Sequence, residues 1–361
     1  MSSQKDSGLD IDLGNACSKD AFSWAKKTFV NRQNKAGQTS LDVDGVFSNL
    51  LDFNGQRIGI ASDGIGTKIE LAERTQIYDS LGYDLVAMVA DDLITAGFQP
   101  CTISNIIDVD KLERSIINDL MKGLHDACNV AGMSISGGEI AELGGRIAGY
   151  GDRMHFNWCS TAVGILPDEL SSPIDGSTIQ KGDTVLSVRS QGFRSNGFSL
   201  IRRILKEEFG DKWHDEQYNE SMTWGEVLLT PSLIYTPLIN QLVAESLELK
   251  GVVHVTGGGV ADNFSRVLKV NELGATLDHL HEPLPVMHRL IEMGEVRYED
   301  AYLYWNMGNG LLIVCDPSEQ DKIISHGLKS GYTIQKAGEV TTGRQISLQV
   351  GKTKTNITHN Y

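Results

Sequence analysis

Arg57-Ile-Gly-Ile-Ala-Ser-Asp-Gly-Ile-Gly-Thr-Lys68 is the stretch on which the fold turns. Arg57 to Ala61, with two β-branched isoleucines, reads as a strand. Ser62 to Lys68 then forms a glycine-rich loop, and a helix is expected from about Ile69. Gly64 and Gly66 let a backbone come close to a ligand, and the amides at a helix start favour anions. Lys68 and Thr67 are therefore candidate phosphate contacts, and Asp63 is a candidate Mg2+ ligand because that ion prefers hard oxygens. The spacing is not that of a Walker A loop. The plainer alternative is a tight strand-to-helix turn with a solvated lysine.

Working outward, Val43 to Leu51 reads as a strand before this stretch, and Met1 to Ser40 as an arm with a short amphipathic segment. After it, Asp84 to Ala96 reads as an amphipathic helix with Leu85, Met88, Val89 and Leu93 toward the core. Ile103 to Ile107 reads as a strand, Leu112 to Ala131 as a helix, Met133 to Ser136 as a short strand and Asn157 to Ile165 as another. Leu166 to Gly182 carries Pro167, Pro173, Gly176 and Gly182 among polar residues, which is linker chemistry. Strand, loop and helix recur beyond it: Thr184 to Val188, Ser190 to Gly197, Phe198 to Phe209. A helix is expected from Pro231 to Leu247, another near Val260, and an apolar strand at Leu311 to Cys315. The expected organisation is two α/β domains, residues 1–167 and 168–345, with 346–361 as a polar peripheral tail.

Composition agrees with a folded two-domain protein. The 361 residues exceed one ordinary core, and 40% hydrophobic with 22% charged residues is globular usage. A formal net charge of −15 argues against a nucleic-acid partner. Five scattered cysteines without a CxxC pair fit reduced thiols in a cytoplasmic protein rather than disulfides or a zinc site. No apolar run is long enough to span a membrane, and Met1 to Leu13 has no signal-peptide core.

Four further clusters carry chemistry. Asp91-Asp92 is an acidic pair late in its helix, either a solvated face or charges neutralised by a metal ion. Gly137-Gly138-Glu139 follows a strand, with close backbone approach and another candidate Mg2+ ligand in Glu139. Gly192-Phe193-Arg194-Ser195-Asn196-Gly197 holds natural helix caps in Ser195 and Asn196 and a possible phosphate clamp in Arg194. Thr256-Gly257-Gly258-Gly259 exposes consecutive amides before a helix. Each is a soft signal. Together, glycine-rich turns at strand-to-helix junctions with acidic residues among them point to a phosphorylated ligand held by amides and metal.

In this order the clusters resemble the phosphoribosylformylglycinamidine cyclo-ligase family, also called aminoimidazole ribonucleotide synthetases. Asp6 to Asn15, Asp63 to Lys68, Gly82 to Met88, Gly137 to Glu139, Ser195 to Leu200, Leu229 to Pro231, Thr256 to Gly259 and Asn306 to Gly308 carry the match, which spans about residues 6 to 315. The resemblance implies a two-domain mixed α/β fold whose N-terminal domains pair into a dimeric β-barrel. It also implies ATP- and Mg2+-dependent closure of an imidazole ring on a phosphoribosyl purine precursor. By position, Asp63, Asp92 and Glu139 would hold Mg2+. Gly64, Gly66, Thr67, Lys68, Gly137 and Gly138 would surround phosphates. Ser195, Asn196, Thr256 and Gly257 to Gly259 would meet substrate, and Asp63, Lys68, Asp92, Arg194 and Asn196 would serve catalysis.

The chain also departs from the family pattern. Asp91 stands where the family usually has Asn, and Phe193-Arg194 where it usually has Pro-His. Ile140 stands for a usual threonine, and the segment after Glu142 is different. Two other readings follow. One is a paralogous ATP-dependent enzyme of the same superfamily, for which Cys17 and the Asn360-Tyr361 ending match poorly. The other is a noncatalytic nucleotide-binding dimer.

Overall fold

The computed structural model describes residues 11–39, 48–351 and 355–361. Asp6 to Asp10 of the N-terminal match, and residues 43–47 of the strand expected at Val43 to Leu51, lie outside them. The first half of the chain contains α1 (Ile11–Thr28), β1 (Gln38–Thr39), β2 (Asn49–Phe53), β3 (Gln56–Gly64), α2 (Ile69–Thr75), α3 (Leu81–Thr95), β4 (Gln99–Val109), α4 (Arg114–Ala131), β5 (Ser134–Glu142) and β6 (Phe156–Ile165). The second half begins with β7 (Thr184–Arg189), α5 (Phe198–Phe209), α6 (Trp224–Leu228), α7 (Thr236–Ala244), β8 (Gly251–His254), α8 (Gly259–Leu268) and β9 (Leu273–Leu277). It ends with α9 (Pro285–Met293), α10 (Tyr298–Tyr304), β10 (Asn309–Cys315), α11 (Gln320–Lys329), β11 (Ile334–Thr342), β12 (Gln345–Val350) and β13 (Thr355–Asn360).

Two sheets organise these elements. The first runs β1-β2-β3-β6-β4-β5 and the second β13-β12-β9-β11-β7-β10-β8. Among the described residues, only β4 and β5 are parallel within the first, and only β12 and β9 within the second. The described strands of the first sheet form an open sheet. Along β4, burial alternates over much of its length, as expected of a strand with one face in the core. In the second sheet β7, β8 and β10 are buried on both faces, which explains their unbroken apolar runs.

The helix α3 joins the two sheets. It is apolar nearly all round and buried along almost its whole length, so it lies inside the molecule rather than on its surface. One side packs on β3 and β6 of the first sheet, and another meets β8 and α7 of the second half. Sequence periodicity read it as one-sided because Asp84, Asp91 and Asp92 mark the other side as polar. Asp84 and Asp91 are buried nonetheless.

Three further differences have local causes. Gly137 and Gly138 lie within β5, paired with Ser104 and Asn105, rather than in a turn after a strand. The helix expected from Pro231 starts at Thr236. In the stretch before it, the Ser232 and Tyr235 amides donate to carboxylates on α3 instead of to a helix. Residues 346–361, read as a peripheral tail, carry β12 and β13, and Ile346, Leu348 and Val350 are core residues. Their alternate burial is what a half-buried strand requires.

Candidate functional site

The site is built around α3 because its carboxylates face two ways. Asp84 and Asp91 are seven residues apart, two helical turns, and so share one face. That face is turned into the second half of the chain, and each carboxylate is met there by a buried cation. Lys68 Nζ lies 2.7 Å from Asp84 Oδ2, with both side chains fully buried. Lys68 Nζ also donates to the Thr230 carbonyl at 2.9 Å. Ser232 donates to Asp84 Oδ1 through its amide at 3.1 Å and its hydroxyl at 2.5 Å. One step along, Arg194 Nη2 lies 2.9 Å from Asp91 Oδ2, again fully shielded. Asp91 Oδ1 accepts from the Tyr235 and Thr236 amides at 2.9 and 3.1 Å, capping the start of α7.

These contacts fix what the charges can do. Burial raises the Asp84 and Asp91 carboxyls and lowers the Lys68 ammonium, and the opposite charges at contact distance offset this. Lys68 was expected among phosphates, yet its ammonium is spent on Asp84 and Thr230 and tethers the two halves of the chain. Arg194 was expected as a phosphate clamp, yet it is 1% exposed and committed to Asp91, to the Leu233 carbonyl at 2.7 Å and to His254. The neighbouring Phe193 anchors the loop by packing edge-on against Trp305, with centroids 5.3 Å apart.

Asp92 points differently, as the next residue on a helix must. His254 Nδ1 lies 2.8 Å from Asp92 Oδ1, and Arg194 Nη2 lies 2.6 Å from His254 Nε2. Burial pushes the Asp92 carboxyl up to about 7, against the pull of Arg266 and Arg194. Burial also lowers the His254 imidazole to about 3, and the Arg194 charge adds to that. His254 was not singled out from the sequence. Its place beside Thr256 and the glycine run was the available signal.

The glycine-rich loops converge beside these groups. A methyl group placed on Gly66 would come within 4.0 Å of the Ser195 carbonyl, and one on Gly257 within 3.4 Å of Asn196 Oδ1. Gly259 has φ +71° and its missing Cβ would stand 1.8 Å from the Tyr302 carbonyl, so only glycine fits at that helix start. Gly258, with φ +94°, precedes it. The Thr256 hydroxyl donates to Asn263 Oδ1 at 3.2 Å, which stiffens the turn. Gly66, Thr67 and Gly257 stay exposed. Ser195 Oγ is shielded and has no hydrogen-bond partner, a polar atom left for a ligand.

On the open face of the first sheet, a pocket of about 350 Å³ is lined by Ser62, Asp63, Ser104, Cys159, Ser160 and Thr161, among others. Ser160 Oγ is likewise shielded without a partner. Surrounding protein raises the Asp63 carboxyl, the Gly64 amide at 2.7 Å pulls it back, and the Asp92 charge adds to the rise.

The three carboxylates expected to hold Mg2+ are not gathered at one point. Cross-strand register runs Gly64, Cys159, Ile106, Glu139. Glu139 is thus three strands from the end of β3, roughly 14 Å at ordinary strand spacing, too far to share an ion with Asp63. Among the described residues no three His, Cys, Asp or Glu form a metal-binding cluster. Asp63, which feels the Asp92 charge, and Asp92 do fit an ion that takes one or two carboxylates and completes its shell with phosphate and water. Gly137 and Gly138 sit on exposed β5 beside Ser104 and Asn105.

The family model described as AIR synthase related protein, N-terminal domain, matches residues 45–166, and that described as AIR synthase related protein, C-terminal domain, matches residues 180–351. A relative named phosphoribosylformylglycinamidine cyclo-ligase from Thermoanaerobacter pseudethanolicus is 32% identical over 340 residues, covering 93% of this chain and 96% of its own. One of the same name from Carboxydothermus hydrogenoformans is 35% identical over 349 residues, covering 94% and 96%. Among solved structures, a HypE-HypF complex aligns with a TM-score of 0.62 at 16% identity, over 87% of this chain and 93% of that one. Thiamine-monophosphate kinase from Stenotrophomonas maltophilia aligns with a TM-score of 0.61 at 14% identity, over 89% and 94%. The solved structures share the fold. With both domains matched and relatives above 30% identity along nearly its whole length, the chain belongs to the phosphoribosylformylglycinamidine cyclo-ligase family of AIR synthase-related proteins.

Proposed function

We propose that this protein closes the imidazole ring of formylglycinamidine ribonucleotide at the expense of ATP, giving aminoimidazole ribonucleotide, ADP and phosphate. In this reading the γ-phosphoryl group of ATP is transferred to the formyl oxygen. A substrate nitrogen then attacks that carbon, and the oxygen departs with the phosphoryl group as inorganic phosphate. The observation that carries the proposal is the meeting of the Gly66 loop, Ser195-Asn196 and the Gly257 turn beside Asp63 and Asp92, in a chain 32% identical to a named cyclo-ligase.

The chain's own groups bind and position. The exposed loop at Gly66 and Thr67 and the half-buried Gly64 before it, with Gly137 and Gly138 on β5, are assigned to ATP phosphates. Asn196, Ser195 Oγ and the Thr256 to Gly259 turn are assigned to the phosphorylated substrate. Asp63 and Asp92 would hold Mg2+, which neutralises phosphate charge when bound. Positioning and charge stabilisation then supply the rate. Lys68 and Arg194 act from behind these groups, through Asp84, Asp91 and His254. A solved relative of the fold, AaThiL, is titled as complexed with AMPPCP and TMP, which supports a nucleotide role for the shared scaffold.

We assign the open sheet face, where Ile106 is 51% exposed, to a homodimer interface in which two such sheets complete a barrel. Among the described residues no helix is long and apolar enough to cross a membrane, and a cytoplasmic location suits the reaction. ADP release measured with and without formylglycinamidine ribonucleotide tests the activity. Release that requires the substrate supports it, and release indifferent to the substrate rejects it.

A further inference from the structure

We propose that Arg194 and Asp91 form a positioning clamp that holds His254 in its Nδ1–H tautomer and so aims a donor at Asp92. The inference rests on reading Asp92 as part of the Mg-ATP site. Arg194 sits in the left-handed region at φ 59°, in a loop held by Phe193. Its guanidinium is fixed on three sides, by Asp91 Oδ2 at 2.9 Å, the Leu233 carbonyl at 2.7 Å and His254 Nε2 at 2.6 Å. A guanidinium has no acceptor. The short contact therefore requires a bare Nε2 that accepts from Arg194. The ring proton is then on Nδ1, 2.8 Å from Asp92 Oδ1, where it donates.

Asp91 makes this possible. Oδ2 orients Nη2 and balances its charge, while Oδ1 is tied to α7 through the Tyr235 and Thr236 amides. The order is Asp91, Arg194, His254, Asp92, so two adjacent residues of α3 are linked through the Arg194 loop and the end of β8 in the second half of the chain. Two of the departures from the family pattern, Asp91 and Arg194, meet as this ion pair, and neither charge would be tolerated in that buried place alone. The pair thus acts on the site through His254, without touching substrate.

The test is nitrogen NMR of ring-15N-histidine protein at fixed pH, without metal or substrate, with His254 assigned by its loss in His254→Gln. The clamp predicts one tautomer, with Nδ1 protonated and Nε2 bare. An Nε2–H ring or an imidazolium in the native protein overturns it, whether or not any variant folds. Arg194→Lys keeps the charge that Asp91 needs but cannot reach all three acceptors. It should give a mixed tautomer and weaken Mn2+ binding in calorimetry by on the order of 10-fold. A folded Arg194→Lys protein with an unchanged ring spectrum overturns the role of Arg194. Neither readout involves turnover, so failure here is separable from failure of the cyclisation assay.

Discussion

Lys68→Met separates the two roles open to this lysine. The methionine fills nearly the same volume but leaves Asp84 buried without its cation and the Thr230 carbonyl without its donor. Breaking a fully buried ion pair by removing one partner costs about 3–5 kcal/mol. The orphaned carbonyl adds on the order of 1 kcal/mol. Ser232 still donates twice to Asp84, which keeps the total toward the lower end. Pairing the change with Asp84→Asn removes the stranded charge. The double variant should therefore lose clearly less than the sum of the single ones, with a coupling of about 2 kcal/mol or more. Urea unfolding of the four proteins gives these numbers, and ATP titration of the folded Lys68→Met protein gives the other half. A variant that stays within about 1 kcal/mol of the native protein, yet loses ATP affinity, would refute the tether and return Lys68 to the phosphates.

Asp63→Asn should leave unfolding unchanged, because the side chain lies at an exposed position, and should remove Mg2+-dependent ATP turnover; unchanged turnover would take Asp63 out of the site. Burial pushes the Cys128 thiol up to about 11 and the Cys315 thiol up to about 12, so at pH 8 a thiol reagent should modify the exposed Cys17 and spare those two until the protein unfolds. Ile106→Glu puts a charge on the open sheet face and should convert a dimer to monomers in light scattering. Gly197→Ala should destabilise the protein, since Gly197 has φ +78° and its new methyl would stand 2.3 Å from Trp305 Cδ1, which thermal unfolding would register.

Local chemistry made part of this molecule legible. The strand before Asp63 and the helix from Ile69 follow from residues inside those segments, although β3 runs on through Asp63 to Gly64 where a loop was expected, and the bounds of Phe198–Phe209 follow likewise, with Gly197 and Gly210 closing it. What stayed hidden depends on partners far along the chain. Nothing in Asp63 to Lys68 reveals that Asp84 awaits the lysine, although the seven-residue spacing of Asp84 and Asp91 already put both on one face of α3. The start of α7 was missed for the same reason, since carboxylates on α3 capture the amides before it. Other signals were present and unread: Pro285 at the first turn of α9, and the alternation of Ile346, Leu348 and Val350 in β12. At the site, the sequence named Asp63, Asp92 and the converging glycine turns. It grouped Glu139 with them because spacing along the chain carries no information about strand order.

The most direct measurement is the yield of aminoimidazole ribonucleotide per ADP when the purified protein is given Mg-ATP and formylglycinamidine ribonucleotide. The account predicts one product molecule for each ADP, and no ADP above background when the ribonucleotide is left out. ADP formed without the imidazole product, or no reaction with this substrate by a protein that binds ATP, would contradict it.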